Sequence, residues 1–275
     1  KTIPGSYKNN LSFFEINTNI YGIQDKKILL NAEFQNTKKD FFNDYTLINK
    51  SYFNKKNIIN NNDICNSESD QDICYISGIH TIFKSVIFTK KIIIQKGAKI
   101  ILKNNSDLIF ENSVEMNGSI NEPILILGKG SVTILNNHKS YNKSVINFVE
   151  FSNLTSPSLP LNKLSGSVNI YSGKNIISNS AFSNGSSEDQ LNIVHSNVLI
   201  SDVKFINSKS DSFDCDFCKG EITNINFLKS GGDALDISGS NLRISNIVVN
   251  YAKDKAISVG ENSKVDIFNV KIENS

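Results

Sequence analysis

The residues able to do chemistry concentrate between Glu188 and Glu261. Asp189, Asp211 and Asp233 stand 22 residues apart and Asp254 follows after 21. Beside each of the first three the same phrase returns: Asp189-Gln-Leu-Asn192, Asp211-Ser-Phe-Asp214, Asp233-Ala-Leu-Asp236. The alternation turns Leu191, Ile193, Phe213, Cys215, Leu235 and Ile237 inward, and leaves Asn192, Asp214, Asp216, Asp236 and Ser238 facing out. If these are neighbouring strands about 4.8 Å apart, Asn169, Asn192, Asp214 and Asp236 form one outward ladder. Stacked carboxylates repel, so they need a shared proton, a cation, a lysine or hydration. Three chemistries fit. Two carboxyls about 6.5 to 9.5 Å apart serve inverting glycoside hydrolysis as general acid and base. Calcium takes about six to eight oxygens, which Asp211, Asp214, Asp216, Asp233 and Asp236 with carbonyls approach. A lyase needs a base such as Lys255 and a cation that acidifies the sugar's α-proton. Asn192, Ser238, Lys253, His195 and Glu261 are the neighbouring groups able to hold a sugar. Against these stands a simpler reading for Asp189, Asp211, Asp233 and Asp254, as turn residues bonded to the backbone of the next coil. His195 reads first as a turn residue, and Glu261 as a turn cap or a member of the acidic cluster.

A unit of roughly 20 to 30 residues built from short alternating strands is a solenoid repeat, here a parallel β-helix of about 20 to 25 residues per coil. From Tyr75 onward short β-branched strands alternate with Lys-Gly, Asn-Asn and Asn-Gly turns, as buried parallel strands do. The stretch 153–167, with two of the four prolines, breaks the pattern and reads as a loop projecting from the stack. Residues 1–74, rich in lysine and asparagine, are expected to be an N-terminal cap or extension, or a small separate subdomain. An amphipathic helix over 40–53 is an alternative there. Residues 75–275 are expected to be the solenoid, truncated at its C-terminal end and part of a longer chain with further domains.

The 275 residues are 39% hydrophobic and 20% charged, enough apolar content for a core. Arg243 is the only arginine, and lysines are scattered rather than clustered with aromatics, which argues against a nucleic-acid partner. No run of 18 apolar residues marks a transmembrane span. The four cysteines form two local pairs. Cys65 and Cys74 suit a disulfide in an oxidising compartment. Cys215 and Cys218 read as C-x-x-C, but no second pair or histidine pair completes a zinc site. Cys215 therefore reads as a small inward hydrophobe.

Residues 75–275 resemble the right-handed parallel β-helix, pectate-lyase-like superfamily in pattern. The phrases SDSFD, GGDALDI and DKAISVG resemble, in order and spacing, the polygalacturonase motifs N-T-D-G-x-D, G-D-D-C-x-A-x and G-H-G-x-S-x-G. That resemblance implies catalytic roles for Asp211 and Asp233, with Gly232 in place of an aspartate and Lys255 in place of the histidine. The same series also looks like β-helix repeat proteins found beside CotH-type kinase domains. The expectation is an extracellular, cell-surface or periplasmic protein acting on an extended polysaccharide, with hydrolase- or lyase-like chemistry. It would require no cofactor, calcium being the cation it would take. The alternatives are a surface or adhesion module that binds glycan or calcium without catalysis, and a structural spacer.

Overall fold

In a computed structural model the protein is described over residues 14–16, 28–30, 64–65, 73–136, 143–158 and 164–275. It divides into two compact units, residues 1–48 and 49–275. In the first, Phe14–Ile16 pairs antiparallel with Ile28–Leu30. The helix considered for 40–53 lies outside the described residues. The second unit is a parallel β-solenoid, and among the described residues there is no helix, so none long and apolar enough to cross a membrane.

Each coil contributes one strand to an 8-stranded sheet, which gives eight coils. Its strands are Val86–Phe88, Leu108–Phe110, Val132–Ile134, Gly166–Tyr171, Asp189–Val194, Asp211–Asp216, Leu235–Ser238 and Ile257–Val259. The rest of each coil belongs to a second, 14-stranded sheet. In the early coils two short strands cover it, as in Lys143–Asn147 and Val149–Ser152. From Asn197–Ile206 onward one long strand spans both segments.

The bend between those segments is made by left-handed residues. Asn179, Asp202, Asn224, Asn246 and Asn269 all have φ between 48° and 62°. Asparagine and aspartate tolerate that region because their short side chains hydrogen-bond locally. Here each amide also reaches the preceding coil: Asn246 Nδ2 donates to Asn224 Oδ1 at 2.9 Å, and Asn269 Nδ2 to Asn246 Oδ1 at 2.7 Å.

Inside the coils, like stacks on like. Leu191, Phe213 and Leu235 are in register, as are Ile193, Cys215 and Ile237. Phe151, Phe182, Phe205 and Phe227 form a ring column with centroids 4.9 to 5.1 Å apart. Parity alone puts these side chains inward, and burying each stabilises the stack by about 1.5 to 3 kcal/mol.

Both cysteine pairs are disulfides. Cys65 is joined to Cys74, and Cys215 to Cys218 across the corner that follows Asp211–Asp216. This corrects the reading of Cys215 as a lone hydrophobe. It does point into the core beside Ile193 and Ile237, but Cys218 turns in at the next corner and meets it.

Candidate functional site: a carboxylate face on the eight-stranded sheet

The expected ladder exists. Asn169, Asn192, Asp214, Asp236 and Ser258 are consecutive partners on the eight-stranded sheet. Asp216 lies two residues along the same strand from Asp214, on the same face, and pairs with Ser238. Two residues of strand span about 6.6 Å, so Asp214 and Asp216 fall in the separation that admits a water between two carboxyls.

Its two ends differ in exposure. Asp214, Asp216, Asp236 and Ser238 are half-buried, whereas Asn169 and Asn192 are fully buried. That corrects the reading of Asn192 as an open surface group. The covering residues are Ser165 and Gly166. Gly166 exchanges two hydrogen bonds with the Asn169 amide, donating to Oδ1 at 2.9 Å and accepting from Nδ2 at 2.7 Å. A side chain at Gly166 would strike Asn192 Cβ, so the close approach needs glycine. Asn192 Nδ2 faces Asp214 Oδ2 at 3.0 Å, Ser165 Oγ at 3.1 Å and Asp189 Oδ2 at 3.3 Å. Its Oδ1 is buried with no donor.

Burial and mutual repulsion hold protons on this face. Desolvation, and then the charges of Asp216, Asp189, Asp236 and Asp211, push Asp214 up to about 8. Desolvation above all raises Asp189 to about 6, against the Ser165 hydroxyl that donates to it. Asp211 and Asp216 are also raised by desolvation first, Asp216 then by Asp236 and Glu261. At neutral pH Asp214 therefore carries a proton beside other carboxyls. A half-turn of the Asn192 amide would present its idle Oδ1 to that proton.

The turn aspartates do a different job. Asp211 Oδ1 accepts from Asp233 N at 2.8 Å, and Asp233 Oδ1 from Lys255 N at 2.8 Å, each reaching one coil onward. Asp189 is in register with Asp211, and the step of 22 residues carries the column on to Asp233 and then Lys255. The fourth member is thus Lys255, one residue past Asp254. Its ammonium meets Asp233 at 2.9 and 3.1 Å and Asp254 at 2.8 Å. Those contacts, Asp254 first, raise it well above the ordinary lysine range, so it stays charged and is a poor base.

The remaining candidates are spread out. His195 sits at a corner in the left-handed region, φ 52°, stacked on Phe217 with centroids 4.6 Å apart and meeting Tyr171 edge-on at 5.7 Å. Burial pushes its imidazole below the usual range. Glu261 is exposed, and its carbonyl accepts from Gly239 N at 3.0 Å. Lys253 is exposed. For calcium, no three His, Cys, Asp or Glu side chains among the described residues are disposed to hold one ion.

One carboxylate escaped the sequence reading altogether. Asp107, fully buried, accepts from Ser131 N and Oγ and from Ser158 N and Oγ, pinning the start of the proline-containing loop. Its only local signal is a turn aspartate before an apolar strand, with no repeat partner to mark it. Comparisons with known protein families, with characterised proteins and with solved structures find no match.

Proposed function

We propose that the half-buried carboxylate face of the later coils handles an extended polysaccharide, in a hydrolytic step with Asp214 as proton donor and Asp236 or Asp216 as its carboxylate partner. The observation that carries this is the register that stacks Asp214 on Asp236 with Asp216 one step along the same face. The raised Asp214 supports it, because a general acid must hold its proton at working pH while a neighbour stays ionised. A rigid parallel stack offers a straight track for a polymer. Kinship with the pectate-lyase-like superfamily is part of this reading, although Asp211 and Asp233, the positions matched to polygalacturonase, are engaged with backbone amides. Lyase chemistry is less well supported, since Lys255 is held by Asp233 and Asp254. The two disulfides favour an extracellular, cell-surface or periplasmic setting.

The test is a panel of extended polysaccharides assayed for new reducing ends, for unsaturated ends and for binding. New reducing ends without unsaturation are expected, with Asp214→Asn lowering the rate by about a hundredfold or more. Binding without turnover, retained in Asp214→Asn, would replace the enzyme by the non-catalytic module. That second reading draws on the surroundings of Asp214, which are other carboxylates and the Asn192 amide. No turnover and no binding would leave the spacer.

A further inference from the structure

A second feature stands apart from the carboxylate face, at the corner where the long strands of the larger sheet end. One left-handed residue per coil turns the chain there. In order along the stack these are Asn153, Asn184, Asn207, Lys229, Tyr251 and Asn274, with φ of 57°, 53°, 52°, 65°, 69° and 56°. The strand registers that precede them place all six in one column. Asparagine is the residue this position favours, and where two meet they link: Asn207 Nδ2 donates to Asn184 Oδ1 at 2.8 Å. Lys229 and Tyr251 give up that link and adopt a conformation that long and aromatic side chains disfavour. Strain of this kind, kept in two adjacent coils of an otherwise regular column, asks for a use.

The two side chains flank a surface depression of about 300 Å³ whose other walls are Leu228 and Asn250. Leu228 is 41% and Tyr251 44% exposed. Two positions further on, Lys209, Gly231 and Lys253 follow one another up the stack, and Lys209 and Lys253 are exposed. Gly231 fits because an added Cβ would lie 2.1 Å from Lys209 O. Among the described residues Lys209, Lys229 and Lys253 form no ion pair. Two carboxylates of the adjoining coils are already paired, Asp254 with Lys255 and Glu273 with Lys271. The corner therefore combines an exposed aromatic ring, an aliphatic wall, an amide and three ammonium groups outside any ion pair.

That set matches a flat ring bearing a fixed negative charge. We propose that this corner binds an acidic sugar unit of a glycan, a pyranose carrying a carboxylate or a sulfate ester, with the ring against Tyr251 and Leu228 and the anion at Lys229. Lys209 and Lys253 supply the surrounding positive field. The site does not depend on the carboxylate face, which would repel such a unit.

The experiment titrates the whole chain with uronate-containing and sulfated oligosaccharides, with their neutral counterparts, and with a single-stranded DNA of equal charge. The variants are Lys229→Asn with Tyr251→Asn, and separately Lys96→Asn, which removes an exposed lysine of an early coil. The double variant restores the asparagine column, so it should melt at or above the wild type, and a loss of binding cannot be laid to misfolding. Expected are binding of at least one acidic oligosaccharide, about tenfold or more weaker binding of the neutral one, and about tenfold or more loss in the double variant. Lys96→Asn should bind as the wild type does. The better of the two acidic ligands identifies the anion. The proposal is overturned by no binding, by equal binding of neutral sugar or DNA, by retained affinity in the double variant, or by an equal loss in Lys96→Asn.

Discussion

Asp107, just ahead of strand Leu108–Phe110, is fully buried and Asp214, within Asp211–Asp216, is half-buried, and their surroundings are opposite. Asp107, 0% exposed, is met by donors from three segments: Ser85 Oγ at 3.5 Å, Ser131 N and Oγ at 3.2 and 2.8 Å, and Ser158 N and Oγ at 3.1 and 2.5 Å. Asp214 has one donor, Asn192, and four carboxylate neighbours that raise it. Both have lost solvent contact, wholly or in part, so burial alone does not decide the role. A carboxylate surrounded by N–H and O–H groups anchors the coils it bridges. One that faces its own kind holds a proton and destabilises the stack when it ionises.

The contrast has measurable consequences. Asp107→Ala removes an acceptor from several buried donors and should destabilise by about 3 kcal/mol in urea unfolding, by the usual cost of breaking a buried charged network. A loss under about 1 kcal/mol, the level of an ordinary neutral hydrogen bond, would show that the serines do not depend on it.

The pH dependence has the next largest effect. Unfolded carboxyls titrate near 4, whereas Asp189 and Asp214 in the fold titrate near 6 and 8. Between those limits these two sites bind more protons in the folded chain than in the unfolded one, outweighing the single lowered imidazole of His195, so stability declines as pH rises from about 4 to about 8. After allowance for partial exposure the decline is on the order of 1 kcal/mol or more. Thermal melts across this range check it, and a rising Tm would refute it.

Asp214→Asn removes the ionisable group and keeps its shape. It should leave Tm unchanged or raise it at pH 8, by up to about 1 kcal/mol, and flatten the upper part of the pH curve. Asp107→Asn should lower Tm under the same conditions. If the two amide variants shift Tm in the same direction, the distinction between anchor and proton holder fails. Lys255→Met should have the smallest effect, a slight fall in Tm at low salt that vanishes near 1 M, where the screening length is only about 3 Å.

Much of this architecture was legible in the residues. The returning phrases at Asp189, Asp211 and Asp233, and the parity of Leu191, Phe213 and Leu235, give a parallel stack and the ladder from Asn169 to Asp236. A period of two and a repeat near 22 are local properties of the chain, and every coil restates them. The turn role of Asp211 and Asp233 followed from the same logic.

What was not legible depends on contacts between segments far apart in sequence. The slip from Asp254 to Lys255 is one residue of register, invisible until Leu235 is paired with Ile257. The cover over Asn169 and Asn192 comes from Ser165 and Gly166, which return from an irregular connection. Cys215 meets Cys218 because a corner turns both inward, and Asp107 is an anchor because Ser158 comes back to it across 51 residues. The alternation of side chains dictates which residues can share a face. Only the return of distant segments decides which of those faces is sealed, which carboxylate finds donors, and which is left among its own kind with a proton to give.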